Sequence, residues 1–155
     1  MVYIFYKKWD ENKDLLKKEI EAIENIGYLS YLDLVKMTFS TIYNNREIRA
    51  EYPYEELDCE NITEIDNGDY QGTLVYLIPF NNYQPNESQY LMTYVDYGSC
   101  TCCDTLLGIT QFEDGRPSAQ QVSDLLTLCR DIVMHTIKPY NAGFNYSMFF
   151  DTVDF

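Results

Sequence analysis

Thr73-Leu-Val-Tyr-Leu-Ile78, stopped by Pro79, and Tyr90-Leu-Met-Thr-Tyr-Val-Asp-Tyr97 are the two stretches on which the fold turns. Both are rich in β-branched and aromatic side chains, which pack well on a pleated surface. Upstream, Asn61-Ile-Thr-Glu-Ile65 alternates, and Asp66-Asn-Gly-Asp69 supplies the residues a tight reversal needs. The loop from Asn81 to Asn86 separates the two longer runs. Three successive strands joined by short loops predict an antiparallel meander.

On either side the period becomes that of a helix. Leu15, Leu16, Ile20, Ile23 and Ile26 give residues 12–26 an apolar side, with Gly27 as the expected stop. Ser30 and Asp33 predict the cap of a second helix through about Asn44, buried by Leu32, Val35, Phe39 and Ile42. The short link at Gly27 makes the two an antiparallel pair. A short helix is expected at about 104–109. Ser118 and Gln121 form a capping box for the strongest helix, 119–137, whose buried stripe reads Val122, Leu125, Leu126, Cys129, Ile132, Val133 and Ile137. The aromatic tail of Phe144, Tyr146, Phe149, Phe150 and Phe155 is expected to pack back. The fold class is α+β in a single domain, 1–155: an N-terminal helical pair, a three-stranded antiparallel β-meander and a long C-terminal helix packed on the sheet.

With 155 residues and 46% hydrophobic side chains the chain can bury one real core. No apolar run approaches the roughly 20 residues of a membrane span. Met1-Val-Tyr-Ile-Phe-Tyr6 turns charged at Lys7-Lys8, unlike a secretory leader, so the cytoplasm is the expected location. The formal charge is −14, from 25 acids against 11 bases, and it is unevenly spread. Residues 1–50 balance eight bases against eight acids, whereas residues 51–155 hold 17 acids against Arg116, Arg130 and Lys138. No base stands between Arg49 and Arg116. Such a field repels phosphate, which argues against direct nucleic-acid binding and for a basic partner or a cation.

Glu51, Glu55, Glu56, Asp58, Glu60, Glu64, Asp66 and Asp69 are the candidate partner-binding acids. Their spacing could imitate a phosphate backbone toward a host or phage protein with a basic surface. The plainer alternative is a solvated face that keeps the chain soluble. A calcium loop is disfavoured, because Asp66-Asn-Gly-Asp69 lacks the EF-hand order and its closing Glu. Fifteen tyrosines favour the partner reading, since exposed Tyr is enriched in interfaces.

Gly98-Ser-Cys-Thr-Cys-Cys-Asp104 is the other unusual feature. Cys100 and Cys103 have the C-x-x-C spacing that lets two sulfurs share a metal or form a disulfide within a turn. A helix beginning near Asp104 would favour thiolates through its dipole. The alternative function is therefore a metal-binding (zinc) or redox-active thiol protein using Cys100, Cys102, Cys103 and Asp104. Zinc wants four ligands, so Cys102, Cys59, Cys129 or His135 would have to complete the set. Against both stands simple packing of small, soft side chains in a tight turn. Five cysteines, an odd number, argue against a disulfide framework. His135, the single histidine, lies off the apolar stripe of its helix, and nothing in the sequence brings it to Cys103. No phosphate loop or nucleophile elbow is present, so no catalytic residue and no cofactor are assigned.

Two of these segments also carry a resemblance. Glu64-Ile-Asp-Asn-Gly-Asp-Tyr-Gln-Gly-Thr-Leu-Val-Tyr-Leu-Ile-Pro79 and Tyr94-Val-Asp-Tyr-Gly-Ser-Cys-Thr-Cys-Cys-Asp-Thr-Leu106 resemble a family of small bacteriophage and prophage proteins. Ser99, Cys100, Cys103, Asp104, Thr105 and Leu106 match that family's loop, and the helix from Leu125 to Ile137 also fits. Cys102 departs from it, standing where the family has a small residue such as Gly. The resemblance implies a phage setting, in which acidic inhibitors of host nucleic-acid-handling or defence proteins are common, and it carries no established activity over to this chain.

Overall fold

The alternation in the two long runs becomes a sheet with a wet side and a dry side. The computed structural model describes residues 2–44, 56–81, 84–85 and 89–136, with side chains from Lys7 onward. Strands β1 (Thr63–Asp66), β2 (Gly72–Pro79) and β3 (Tyr90–Tyr97) form an antiparallel sheet in the order β1-β2-β3. Tyr76 lies opposite Thr93, and Ile78 opposite Leu91. Side chains directly opposite share a face, and these four are fully buried. By the same register Glu64 lies opposite Tyr76 and Asp66 opposite Leu74. The core-facing positions of β1 are thus carboxylates, a device that keeps an edge strand from recruiting another chain.

Helices α1 (Val2–Glu21), α2 (Tyr31–Tyr43) and α4 (Ala119–Met134) pack on one another, and α4 also meets β3. The Thr93 hydroxyl donates to the Ile132 carbonyl at 2.7 Å, fastening sheet to helix through a buried bond. Helix α3 (Thr105–Thr110) packs on α4. Both anticipated capping boxes, Ser30 with Asp33 and Ser118 with Gln121, are present.

Several boundaries differ from those read in the sequence. Helix α1 covers Val2–Glu21, not 12–26. Its inner stripe is Trp9, Asn12, Leu16 and Ile20, and the buried Asn12 breaks the apolar pattern while donating to the Ile42 carbonyl at 3.2 Å. At the other end the chain leaves the helix because Asn25 accepts from the amides of Gly27 and Gly115, and Ile26 donates to the Gly115 carbonyl. Gly27 is therefore no helix stop: a Cβ there would sit 2.8 Å from the Glu113 carbonyl oxygen, so its role is close approach. In α2 Leu34 takes the fully buried place expected of Leu32, and in α4 Leu128 takes that of Leu126. Helix α4 ends at Met134, and Ile137, Glu51, Glu55 and the aromatic tail from Phe144 lie outside the described residues. No helix among the described residues is long and apolar enough to cross a membrane.

Candidate functional site

β1 is an edge strand of the sheet, and its residues are exposed. A recess of about 360 Å³ lies there, between the sheet and the first turns of α2 and α3. Ser30, Tyr31, Glu64, Asp66, Leu74, Tyr97, Asp104, Leu106 and Leu107 line it. Every charged side chain in that lining is a carboxylate, and three tyrosine hydroxyls organise them. Tyr97 donates to Asp66 Oδ1 at 2.6 Å, Tyr76 to Glu64 Oε2 at 2.8 Å, and Tyr31 to Asp104 Oδ1 at 2.8 Å.

The carboxylates differ in what else they hold. Asp104 is buried and accepts from Leu107 N at 3.0 Å as the N-cap of α3, and from Gly98 N at 3.0 Å. The Tyr31 hydroxyl in turn accepts from Leu106 N at 3.1 Å. Glu64 and Asp66 are exposed. Asp66 accepts from Gly68 N at 3.0 Å besides Tyr97. These donors favour its charged form, Tyr97 foremost, and hold its carboxyl below the ordinary value. The same bond pushes the Tyr97 hydroxyl up to about 12, because ionising the phenol would lose a donor and oppose a carboxylate. Burial pushes Tyr31 and Tyr76 up as well. At neutral pH all three tyrosines are donors, and the rim is anionic.

The acids singled out in the sequence thus separate into two groups. Glu64 and Asp66 line the recess, and the exposed Asp69 acts on Tyr97 from nearby. Asp58 instead shapes its own turn, accepting from Glu60 N at 3.2 Å and Asn61 Nδ2 at 2.7 Å. Glu56 is half-buried, its carbonyl accepting from Asn81 N, and Glu60 is exposed beside that turn. Tyr31, Tyr97, Leu106 and Leu107 were not anticipated as site residues. The signal for Tyr97 was its same-face register with Leu74 and Asp66, whereas nothing in the sequence pairs Tyr31 with a residue 73 positions away.

The cysteine loop sits behind Asp104. Cys100 and Cys103 are joined by a disulfide, with Cα atoms 5.4 Å apart, while Cys59, Cys102 and Cys129 are free. Cys102 Sγ lies 3.2 Å from Cys100 Sγ, and all three loop cysteines are exposed. Gly98 packs so closely that a Cβ would meet Cys103 Sγ at 2.6 Å, and one on Gly108 would meet the Thr101 carbonyl at 2.7 Å. Asp104 accepts three hydrogen bonds, which serve the helix cap and the loop base. Apart from Cys102, the proposed completing ligands have other surroundings. Cys59 and Cys129 are buried, with burial pushing both thiols up, Cys129 to about 12. His135 stacks on Tyr94 at 4.6 Å, its Nδ1 3.2 Å from the Tyr94 carbonyl oxygen. Among the described residues no group of three or more His, Cys, Asp or Glu side chains is arranged to hold a metal ion. No protein-family model, curated protein or solved structure matches the chain.

Proposed function

We propose that the protein acts by binding a macromolecular partner with a basic surface, and that the recess at the open edge of the sheet receives one of the partner's Arg or Lys side chains. The observation that carries this reading is the lining itself: Glu64 and Asp66 at the rim, apolar walls from Leu74, Leu106 and Leu107, and no cation among the lining residues. A long cationic side chain suits such a place, because its methylene stem packs on apolar walls while its head meets carboxylate in charge-assisted hydrogen bonds. The acidity of the whole 51–115 stretch supports the same partner class by steering basic surfaces in. The resemblance of residues 64–79 and 94–106 to phage and prophage proteins supports a host protein that handles nucleic acid or defends the cell, occupied where it would otherwise hold phosphate.

The test is affinity capture from host extract with wild-type protein and with the Glu64→Gln/Asp66→Asn/Asp69→Asn variant, read by mass spectrometry. A basic protein held by the wild type and lost from the variant is the expected result. Identical captured sets from both would overturn the reading. The variant must melt like the wild type, which holds if these carboxylates serve contact and not folding.

A further inference from the structure

We propose that Cys100, Cys102 and Cys103 form a thiol–disulfide exchange site whose substrate is a thiol. The disulfide is not what closes the loop. The turn is already closed by backbone and carboxylate: Cys103 N and Asp104 N both donate to the Cys100 carbonyl, at 3.2 and 3.0 Å, and Asp104 clamps Gly98 N at the base. Glycines at 98 and 108 let the loop press against its own end and against α3. A bridge between residues three apart also constrains very little chain, and the stabilising effect of a disulfide grows with the loop it closes. The bond is thus redundant as a staple. It is also exposed, and exposed disulfides are the ones that exchange.

The third sulfur gives the site a second function. Cys102 Sγ is 3.2 Å from Cys100 Sγ, close enough to serve as an internal nucleophile, whereas Cys59 and Cys129 are sealed in the core. In the first step a substrate thiolate attacks Cys100 Sγ. A substrate–Cys100 disulfide forms, the Cys100–Cys103 bond breaks, and its electron pair leaves on Cys103, which takes up a proton. Two exits follow. A second substrate thiolate can attack the substrate sulfur, releasing an oxidised substrate disulfide and leaving Cys100 reduced. Alternatively Cys102, after losing its proton to water, attacks Cys100 Sγ, expels the substrate thiolate unchanged and leaves a Cys100–Cys102 disulfide. The first exit oxidises two thiols by two electrons while the site's disulfide is reduced. The second returns a substrate that brings no second thiol.

Folded wild-type protein is incubated with millimolar reduced glutathione, quenched in acid, alkylated, and mapped by peptide mass spectrometry. A parallel arm uses a peptide with one cysteine between two arginines, to separate small thiols from thiols on a basic protein surface. The expected result is loss of the Cys100–Cys103 linkage, a mixed disulfide at Cys100 and a Cys100–Cys102 species, with Cys59 and Cys129 unmodified. Cys102→Ser should abolish the Cys100–Cys102 species, leaving the freed Cys103 thiol as the intramolecular nucleophile that resolves the mixed disulfide. Cys102→Ala serves as the second variant, and circular dichroism confirms that both fold. A linkage that survives glutathione until the protein is denatured would overturn the proposal. So would a wild-type protein in which no Cys100–Cys102 disulfide forms.

Discussion

Asp104 and Asp66 line the same recess, and each accepts a hydrogen bond from a tyrosine hydroxyl. Their situations are otherwise opposite. Asp104 is buried and takes its remaining donors from the backbone of the loop and helix it joins, Gly98 N and Leu107 N. Asp66 is exposed, and its donors leave it charged and facing solvent. The contrast shows how one residue type divides its work: a carboxylate enclosed by donors organises the chain, while one at an open edge keeps its charge for another molecule.

The largest effect should come from the enclosed member. Asp104→Ala would leave the Tyr31 hydroxyl, Gly98 N and Leu107 N without their acceptor, and orphaning buried donors costs about 1–3 kcal/mol each. Urea denaturation should show a loss of about 3 kcal/mol or more, while Asp66→Ala should shift the midpoint only slightly. Equal losses for both would erase the distinction. Next, Tyr31→Phe removes a buried hydroxyl that serves Asp104 and Leu106 N together, so a loss of about 1–3 kcal/mol is expected. Tyr97→Phe, at the exposed rim, should cost much less.

The smallest effect is one of pH. Asp66 is held below its ordinary value of 3.8 in the fold, chiefly by Tyr97. A depressed carboxyl contributes stability that is complete above its unfolded value and is lost as pH falls through the folded one. The difference in melting temperature between wild type and Tyr97→Phe should therefore be steady at neutral pH and shrink as pH drops below the ordinary carboxyl range. A gap that widens on acidification would show that Tyr97 acts by packing instead.

What could be read in the sequence follows the range of the interactions involved. Both capping boxes, the reversal that follows Asp66 and the three strands depend on neighbours within a few residues, and all are present. The start of α1 was hidden because Val2–Tyr6 is bulky and apolar while buried Asn12 occupies a core position. Leu126 and Leu128 are both acceptable on an amphipathic helix, and only the packing of α4 on its neighbours makes Leu128 the buried one. The acids were legible as a charge imbalance, but their division was not. Asp58 differs from Asp66 through partners that a linear pattern does not show, Asn61 in one case and Tyr97 in the other. The recess itself needed the β1–β2–β3 register and the Tyr31–Asp104 bond, which links positions 73 apart.

The most direct measurement is the dissociation constant of the purified complex with the captured partner, for wild type and for Glu64→Gln/Asp66→Asn/Asp69→Asn, at two salt concentrations. Exposed charge attraction is screened over a Debye length of about 10 Å at 0.1 M. If the rim carboxylates meet basic side chains, wild-type binding should weaken at least about tenfold between about 50 and 300 mM salt. The variant should bind at least about tenfold more weakly at low salt and respond much less to added salt. A variant that binds as tightly as the wild type, with neither complex sensitive to salt, would contradict a role for the acidic rim in partner recognition.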